Sequence, residues 1–242
     1  MQLRLQKISA IALAVAIGWL ACAVAQAAPP VHFLHAGVLA PGAIGAAQLQ
    51  RGGPLAGYFQ PVEVRVPQAA GISLACDGRF TNAQQTRVKV GMQVGAVYRL
   101  RVVGIPNHPG EEVYPTVEVI NRLYPPLGEE LKFPVPVELT QEDLELAISG
   151  KFVTRVVYLE NPHAAYARLE NPKSQYTLEA GPHDDPLVTA DRLGRPMAIV
   201  RIGGRTPDDV GNPDPDFLFN SPPLLRIPRS LYGAGVGSEA SE

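Results

Sequence analysis

Cysteine is scarce in this chain of 242 residues, and basic residues are not in excess over acidic ones. The two cysteines are Cys22 and Cys76, and cleavage before Ala28 leaves one thiol, which excludes an intramolecular disulfide. Lys and Arg number 21 against 23 Asp and Glu, a net charge of −2 that becomes −4 after this cleavage. We therefore expect no nucleic-acid partner.

Signature motifs of catalysis are missing as well. The chain has no G-x-S-x-G, H-E-x-x-H, P-loop or C-x-x-C pattern. A catalytic triad is assembled in space and leaves no fixed pattern, so enzymatic activity stays open, although a non-catalytic role is favoured. No cofactor is predicted. The weak candidates for metal ligands are His32 and His35, which lie three residues apart, His108 in an Asn-His-Pro-Gly turn, and His183 before two aspartates.

Residues 1–27 have the three parts of a secretory signal. Arg4 and Lys7 form the basic part, residues 8–25 are apolar apart from one serine, and Ala25-Gln26-Ala27 fits signal peptidase. This predicts an exported protein that starts at Ala28, is periplasmic, envelope-associated or secreted, and has no membrane span after cleavage. A retained anchor is the first alternative, because the apolar run is about long enough to span a bilayer. A lipoprotein attached through Cys22 ranks last, because Trp19 stands where a smaller aliphatic residue is usual.

Proline and glycine are abundant, with 24 and 23 residues, and they separate short runs of β-forming residues. This composition predicts a mostly β protein, a β-sandwich or open barrel of about eight or nine short strands. The expected strands are residues 58–66, 72–76, 86–90, 96–103, 113–120, 131–139, 152–159 and 197–202, with a weaker one at 175–180. Cys76 is expected to be a buried, inert thiol in the second of these strands.

The most clearly specified stretch is residues 131–162. Apolar residues alternate over 131–139, and proline cannot donate to a ladder. Pro134 and Pro136 therefore predict either a strand at a sheet edge or a polyproline-like segment that lies on the sheet. Thr140 is expected to cap a helix over about 140–149. The acidic residues of that helix are interpreted as a solvated face. A second helix is expected over about 186–193, capped by the aspartates that precede Pro186.

These patterns divide the chain into four parts. The signal is followed by a flexible N-terminal arm or linker over 28–56, which is rich in Gly, Ala and Pro and has few charges. The β-sandwich-like domain spans 57–205. Residues 206–242 contain six acidic and two basic residues together with many Pro, Gly and Ser, which predicts a disordered acidic tail.

Three stretches carry a resemblance to a known group. These are IPNHPGEEVYPTVEVINRLYPP (105–126), PVPVELTQEDLELAISGKFVTRVVYLENP (134–162) and DPLVTADRLGRPMAIVRIGGR (185–205). The chain, over residues 57–205, resembles uncharacterised exported proteins of planctomycete-type bacteria. The resemblance implies an envelope or extracytoplasmic location, and it implies no activity and no catalytic residues.

Two hypotheses for function follow from the sequence. The first is a non-catalytic extracytoplasmic β-domain with a structural or binding role in the cell envelope, whose partner is an envelope protein or a polysaccharide. The alternative is an exported metal-binding or hydrolytic protein that uses the scattered histidines and aspartates. The alternative is favoured if the structure brings two or more members of one set within ligand distance, and the first hypothesis is favoured if they are dispersed on the surface. The set is His108, His163, His183 and Cys76.

Overall fold

A computed structural model of the chain describes residues 39–83, 86–163, 176–181 and 184–228. In chain order the elements are α1 (Ala43–Gln50), β1 (Phe59–Arg65), β2 (Gly71–Cys76), β3 (Arg79–Phe80), β4 (Arg87–Gln93), β5 (Val97–Val103), β6 (Thr116–Val119), a 3-10 turn (Glu130–Lys132), β7 (Val135–Glu138), α2 (Gln141–Ile148), β8 (Val153–Glu160), α3 (Pro186–Leu193), β9 (Gly194–Ile202) and β10 (Leu224–Arg226). None of the helices in these ranges has the length and apolarity needed to cross a membrane.

The strands form two sheets, and the protein is mostly β, as the sequence predicts. One sheet has four strands in the order β10-β4-β1-β7, and the other has six in the order β3-β2-β5-β6-β9-β8. Among the described strands, only β1 and β7 pair in parallel. The alternating apolar residues of both sheets share one core, which is why the arrangement is that of a β-sandwich. The fully buried members include Val62, Val90, Val137, Ile72, Leu100, Val117 and Val200.

The stretch around β7 and α2 confirms most of its prediction. β7 is the outermost strand of the four-stranded sheet, the position that Pro136 requires. The Thr140 hydroxyl accepts a hydrogen bond from the Asp143 N–H at 3.1 Å, and the Asp143 carboxylate accepts one from the Thr140 N–H at 3.4 Å. Leu144 is fully buried. The expectation of a solvated acidic face is wrong for Asp143, which is buried because Arg155 binds its carboxylate.

The prediction of a flexible arm over 28–56 is wrong for α1, which is packed on the outer face of the six-stranded sheet. Ile44 is buried together with Ile199 in a small apolar cluster. The Gly45 N–H donates to the buried Glu118 carboxylate at 2.7 Å, and a Cβ on Gly45 would stand 2.9 Å from Cα of Gly95. The helix therefore packs through small residues, Ile44 and the partly buried Leu49, so it leaves no broad apolar stripe in the sequence.

The prediction of a disordered tail over 206–242 is wrong for part of residues 206–228. Phe217 and Leu218 are buried, and β10 pairs with β4 at the edge of the four-stranded sheet. The buried residues are adjacent in an irregular turn, so they have no strand or helix period. The prediction of a weak strand at 175–180 is also wrong for the described residues of that range, since residues 176–180 belong to no strand.

Candidate functional site

The two sheets have four edges, and three of them are poorly suited to pairing with another strand. β3 is two residues long, β10 is three, and β7 contains Pro136. Short strands and proline are the usual ways in which proteins block an edge. The fourth edge is β8, with eight residues, no proline and the sequence VTRVVYLE. Within the described ranges, β9 is the only strand that pairs with it.

The hydrogen bonding of β8 shows which of its backbone groups point away from β9. The Asn161 N–H, just after β8, donates to the Leu193 carbonyl, just before β9, at 3.0 Å. The backbone N–H of Asn161 therefore points toward the β9 side. The extra residue at the bulge opposite Val157 and Tyr158 lies on β9, so the alternation along β8 is uninterrupted. Because successive residues of a strand alternate in direction, the N–H groups of Thr154 and Val156 point toward the open edge.

A cleft of about 800 Å³ runs along this edge, and we call it the β8 cleft. Six consecutive residues of β8 line it, from Val153 to Tyr158. Successive side chains of a strand point to opposite faces of the sheet, so a cleft on one face would contact every second residue. A cleft that contacts all six residues therefore lies along the edge of the strand. Its volume is within the range of roughly 300–1,000 Å³ found for ligand sites.

Three other segments complete the walls of the β8 cleft. The start of α2 contributes Thr140 and Asp143, α3 contributes Thr189 and Leu193, and residues 176–181 form the remaining wall. No backbone hydrogen bond joins residues 176–180 to another described residue. The backbone of β8 borders the cleft along one side, which suits a ligand that is itself a polypeptide.

The side chains of the β8 cleft are aromatic and acidic. Phe152 and Tyr176 are 59% and 60% exposed, values that are high for such large rings. Five carboxylates line the cleft against a single guanidinium. The described acidic residues are Glu138, Asp143, Glu160, Glu179 and Asp184, and the basic one is Arg155.

Arg155 contributes little positive charge to the cleft, because it is bound to Asp143. Its Nε and Nη2 atoms lie 3.0 and 2.6 Å from one Asp143 oxygen, and the carboxylate is buried. The same carboxylate closes the capping box of α2. Asp143 and Arg155 therefore fix the start of α2 beside the first half of β8.

Of the histidines proposed as metal ligands, only His108 lies within the described residues; His32, His35 and His183 lie outside them. The His108 ring has Glu111 at 3.1 Å from Nδ1 and Glu145 at 4.0 Å from Nε2. Cys76 is half-buried and not fully buried as expected, with Asp77 and Arg226 beside its sulfur. Across the described part of the chain, no three His, Cys, Asp or Glu residues form a group that could hold a metal ion.

Other buried charges belong to closed networks. Glu118 binds Arg201 at 2.7 Å beneath α1, and the Arg99 guanidinium donates to the carbonyls of Phe217 and Tyr114. Burial, with a smaller contribution from Arg205, lowers the pKa of Arg99 to about 10. These groups hold α1 and the turn containing Phe217 on the sheet, and they line no described cleft.

Glu63 is the centre of a further network, on the outer face of the four-stranded sheet. It is buried and has Arg65, Arg87 and Lys89 around its carboxylate. Burial opposes ionisation, but hydrogen bonds from Arg87 and Arg65 outweigh it and hold the pKa of Glu63 below its ordinary value. We interpret this cluster as structural, because three basic side chains converge on one buried carboxylate.

Sequence reasoning identified β8 as a strand but not as a site. The binding features are an edge beyond which the described ranges place no strand and a cleft lined by separate segments, neither of which forms a motif. The absence of proline from residues 152–160 sets this strand apart from the other expected edge strand at 131–139. Comparisons of the chain with protein-family models, with curated proteins and with solved structures find no match.

Proposed function

We propose that this chain is an exported, non-catalytic β-domain of the cell envelope that binds an extended polypeptide segment of a partner protein along β8. The observation that carries the proposal is the β8 cleft beside the one long edge strand without proline. The N-terminal signal pattern and the resemblance to exported proteins support the location. A partner strand would continue the six-stranded sheet by main-chain hydrogen bonds.

The dimensions suit such a segment. The five residues from Val153 to Val157 extend over about 17 Å, so a bound segment has roughly five residues in contact with this part of β8. The N–H groups of Thr154 and Val156 point to the edge at which the described ranges place no further strand. Each can donate to a carbonyl of the added strand, and the side chains of that strand then alternate between the α2 and α3 sides.

The test uses random ten-residue peptides displayed on phage and selected on the purified chain. Enriched peptides are then synthesised, and their Kd is measured by fluorescence anisotropy. Thr154→Pro removes an N–H that points to the open edge, and we expect it to weaken binding at least tenfold. Thr154→Val is the matched control, because it changes the same side chain and keeps the N–H; it should bind as the parent does.

A second measurement does not depend on how well Thr154→Pro folds. N-methylation of the peptide removes one main-chain donor at a time. In an added strand, only alternate residues face β8, so methylation should abolish binding at every second position and be tolerated at the positions between. Failure to enrich any peptide, or an equal effect of methylation in both registers, would overturn the proposal. Binding of glycans alone would favour a polysaccharide partner instead.

A further inference from the structure

We infer that Arg122 and Arg195 form a binding site for a phosphate group at one end of the sandwich. The two residues lie where β6 ends and β9 begins, since Val119 at the end of β6 pairs with Ala198 near the start of β9. Both guanidiniums lie against the ring of Tyr124, with their Cζ atoms 4.2 and 5.4 Å from its centre. Neither arginine lines the β8 cleft, so the inference is independent of the proposed function.

The charge of these two arginines is not compensated within the described part of the chain. No described carboxylate lies within ion-pair distance of Arg122 or Arg195, and the Nε atom of each is buried without a hydrogen-bond acceptor. Other arginines that are withdrawn from solvent do have acceptors. Arg201 binds the carboxylate of Glu118, and Arg99 donates to two backbone carbonyls.

Contacts with aromatic rings explain how the two guanidiniums are held, but they do not explain why the guanidiniums converge. A guanidinium is attracted to the face of a tyrosine ring, and Arg122 also lies 4.8 Å from the centre of the Tyr58 ring. Two cations against one ring nevertheless repel each other, and an anion placed between them attracts both. At Glu63, three converging basic side chains have a buried carboxylate at their centre. At Tyr124 the described chain supplies no such acceptor, so a bound anion is the group that would supply it.

The backbone on either side of Arg122 is fixed to both sheets. The Asn121 N–H donates to the Met197 carbonyl of β9 at 3.2 Å, and the Leu123 N–H donates to the side-chain oxygen of Gln60 at 2.7 Å. Gln60 lies on β1 and is buried. The segment that carries Arg122 is therefore positioned before any ligand arrives, which reduces the cost of ordering it on binding.

Two guanidiniums match a phosphate monoester better than a carboxylate. The guanidinium fork can donate two parallel hydrogen bonds to either group. A carboxylate carries one negative charge on two oxygens, whereas a phosphate monoester carries a charge of about −1.5 to −2 near pH 7 and has three acceptor oxygens. It can therefore compensate both arginines. Tyr124 is 61% exposed and Leu127 is 98% exposed, so the site is open both to free phosphate and to the head group of a phospholipid.

The test follows the arginine Nε–H signals by NMR while inorganic phosphate is added to the purified chain at constant ionic strength. We expect the signals of Arg122 and Arg195 to shift and saturate with a Kd of about 1 mM or below. Arg195→Gln should raise this Kd at least about tenfold, because it removes a charged donor, and Arg122→Gln gives a second test of the same site. The matched control is Arg79→Gln, which removes an exposed arginine of β3 and should leave the Kd unchanged.

Shifts that do not saturate, or equal weakening by Arg79→Gln and Arg195→Gln, would overturn the inference, because only the net charge of the chain would then matter. Acetate that binds as tightly as phosphate would overturn the assignment to phosphate. Cosedimentation with vesicles of phosphatidylcholine and phosphatidic acid that is lost in Arg195→Gln would identify a lipid head group as the source. Saturable phosphate binding without cosedimentation would identify a soluble phosphate. Arg195→Gln should still bind the peptides selected on β8, so either proposal can fail without the other.

Discussion

Phe217→Ala is the substitution that tests most directly whether the C-terminal part of the described chain belongs to the fold. The Phe217 side chain is 4% exposed. Its ring meets that of Tyr114 edge-on at 5.6 Å, and the guanidinium of Arg99 lies 4.4 Å from its centre. Truncation of a buried phenylalanine to alanine costs about 3–5 kcal/mol. We expect a loss in this range, a large share of the roughly 5–15 kcal/mol by which domains are stable.

The assay is urea denaturation followed by far-UV circular dichroism, because the only tryptophan, Trp19, lies in the predicted signal. Val210→Ala is the control within the same segment; Val210 is 37% exposed, and its truncation should change the free energy of unfolding by less than about 0.5 kcal/mol. Phe217→Leu keeps most of the apolar volume and loses the ring, so we expect an intermediate loss of about 1–2 kcal/mol from the aromatic and cation–π contacts.

A loss below about 1 kcal/mol for Phe217→Ala would refute this reasoning. The turn would then contribute no more to stability than an exposed segment does, and the boundary at residue 205 drawn from the sequence would hold. The expected result carries a consequence for the shape of the domain. A chain cut after Arg205 would lose Phe217, Leu218 and β10 together, and it should not unfold as one cooperative unit.

Three further predictions concern the stability of α2, the fall of stability at acid pH, and export. Leu144→Ala should destabilise the domain by about 2–4 kcal/mol and Thr140→Ala by about 1 kcal/mol in the same urea assay, since the first opens a core cavity and the second removes the cap. The pKa of Glu63 is lower in the folded than in the unfolded chain, so its ionisation stabilises the fold above about pH 4.5 and that stabilisation is lost as the pH falls through the lowered value. Glu63→Gln should therefore reduce stability near neutral pH and flatten its fall in acid, and an unchanged acid limb would contradict the assignment. N-terminal sequencing of the exported protein should find Ala28, whereas a lipid-bearing Cys22 would contradict cleavage there.

The parts of the fold that the sequence predicts are those with a local physical signature. Period-two apolar residues identify most of the strands, and the Thr140 and Asp185 caps identify two helices. Pro136 places β7 at an edge, although the strand begins at Val135 and the expected residues 131–134 lie outside it. Each of these signals comes from interactions within a few residues of the chain. These signals can therefore be recognised without any knowledge of the tertiary structure.

The parts that were missed depend on contacts between distant segments. α1 is held by the Gly45 N–H on the Glu118 carboxylate, across 73 positions of sequence. The turn around Phe217 is held by Arg99, 118 positions away. No local pattern in the sequence predicts that Asp143 is buried against Arg155. Single polar contacts of this kind leave no periodic pattern, so the segments that depend on them resemble linkers.

The open edge of β8 is best understood from what the other edges have in common. An edge strand rich in β-branched residues invites pairing with any other chain, and proteins avoid this by shortening the strand or by adding proline or charge. Here β3 and β10 are short and β7 contains Pro136, whereas β8 has eight residues and no proline. The part of β8 from Val153 to Val157 is therefore the stretch of edge that neither length nor proline blocks, and it is the stretch that the proposed function uses.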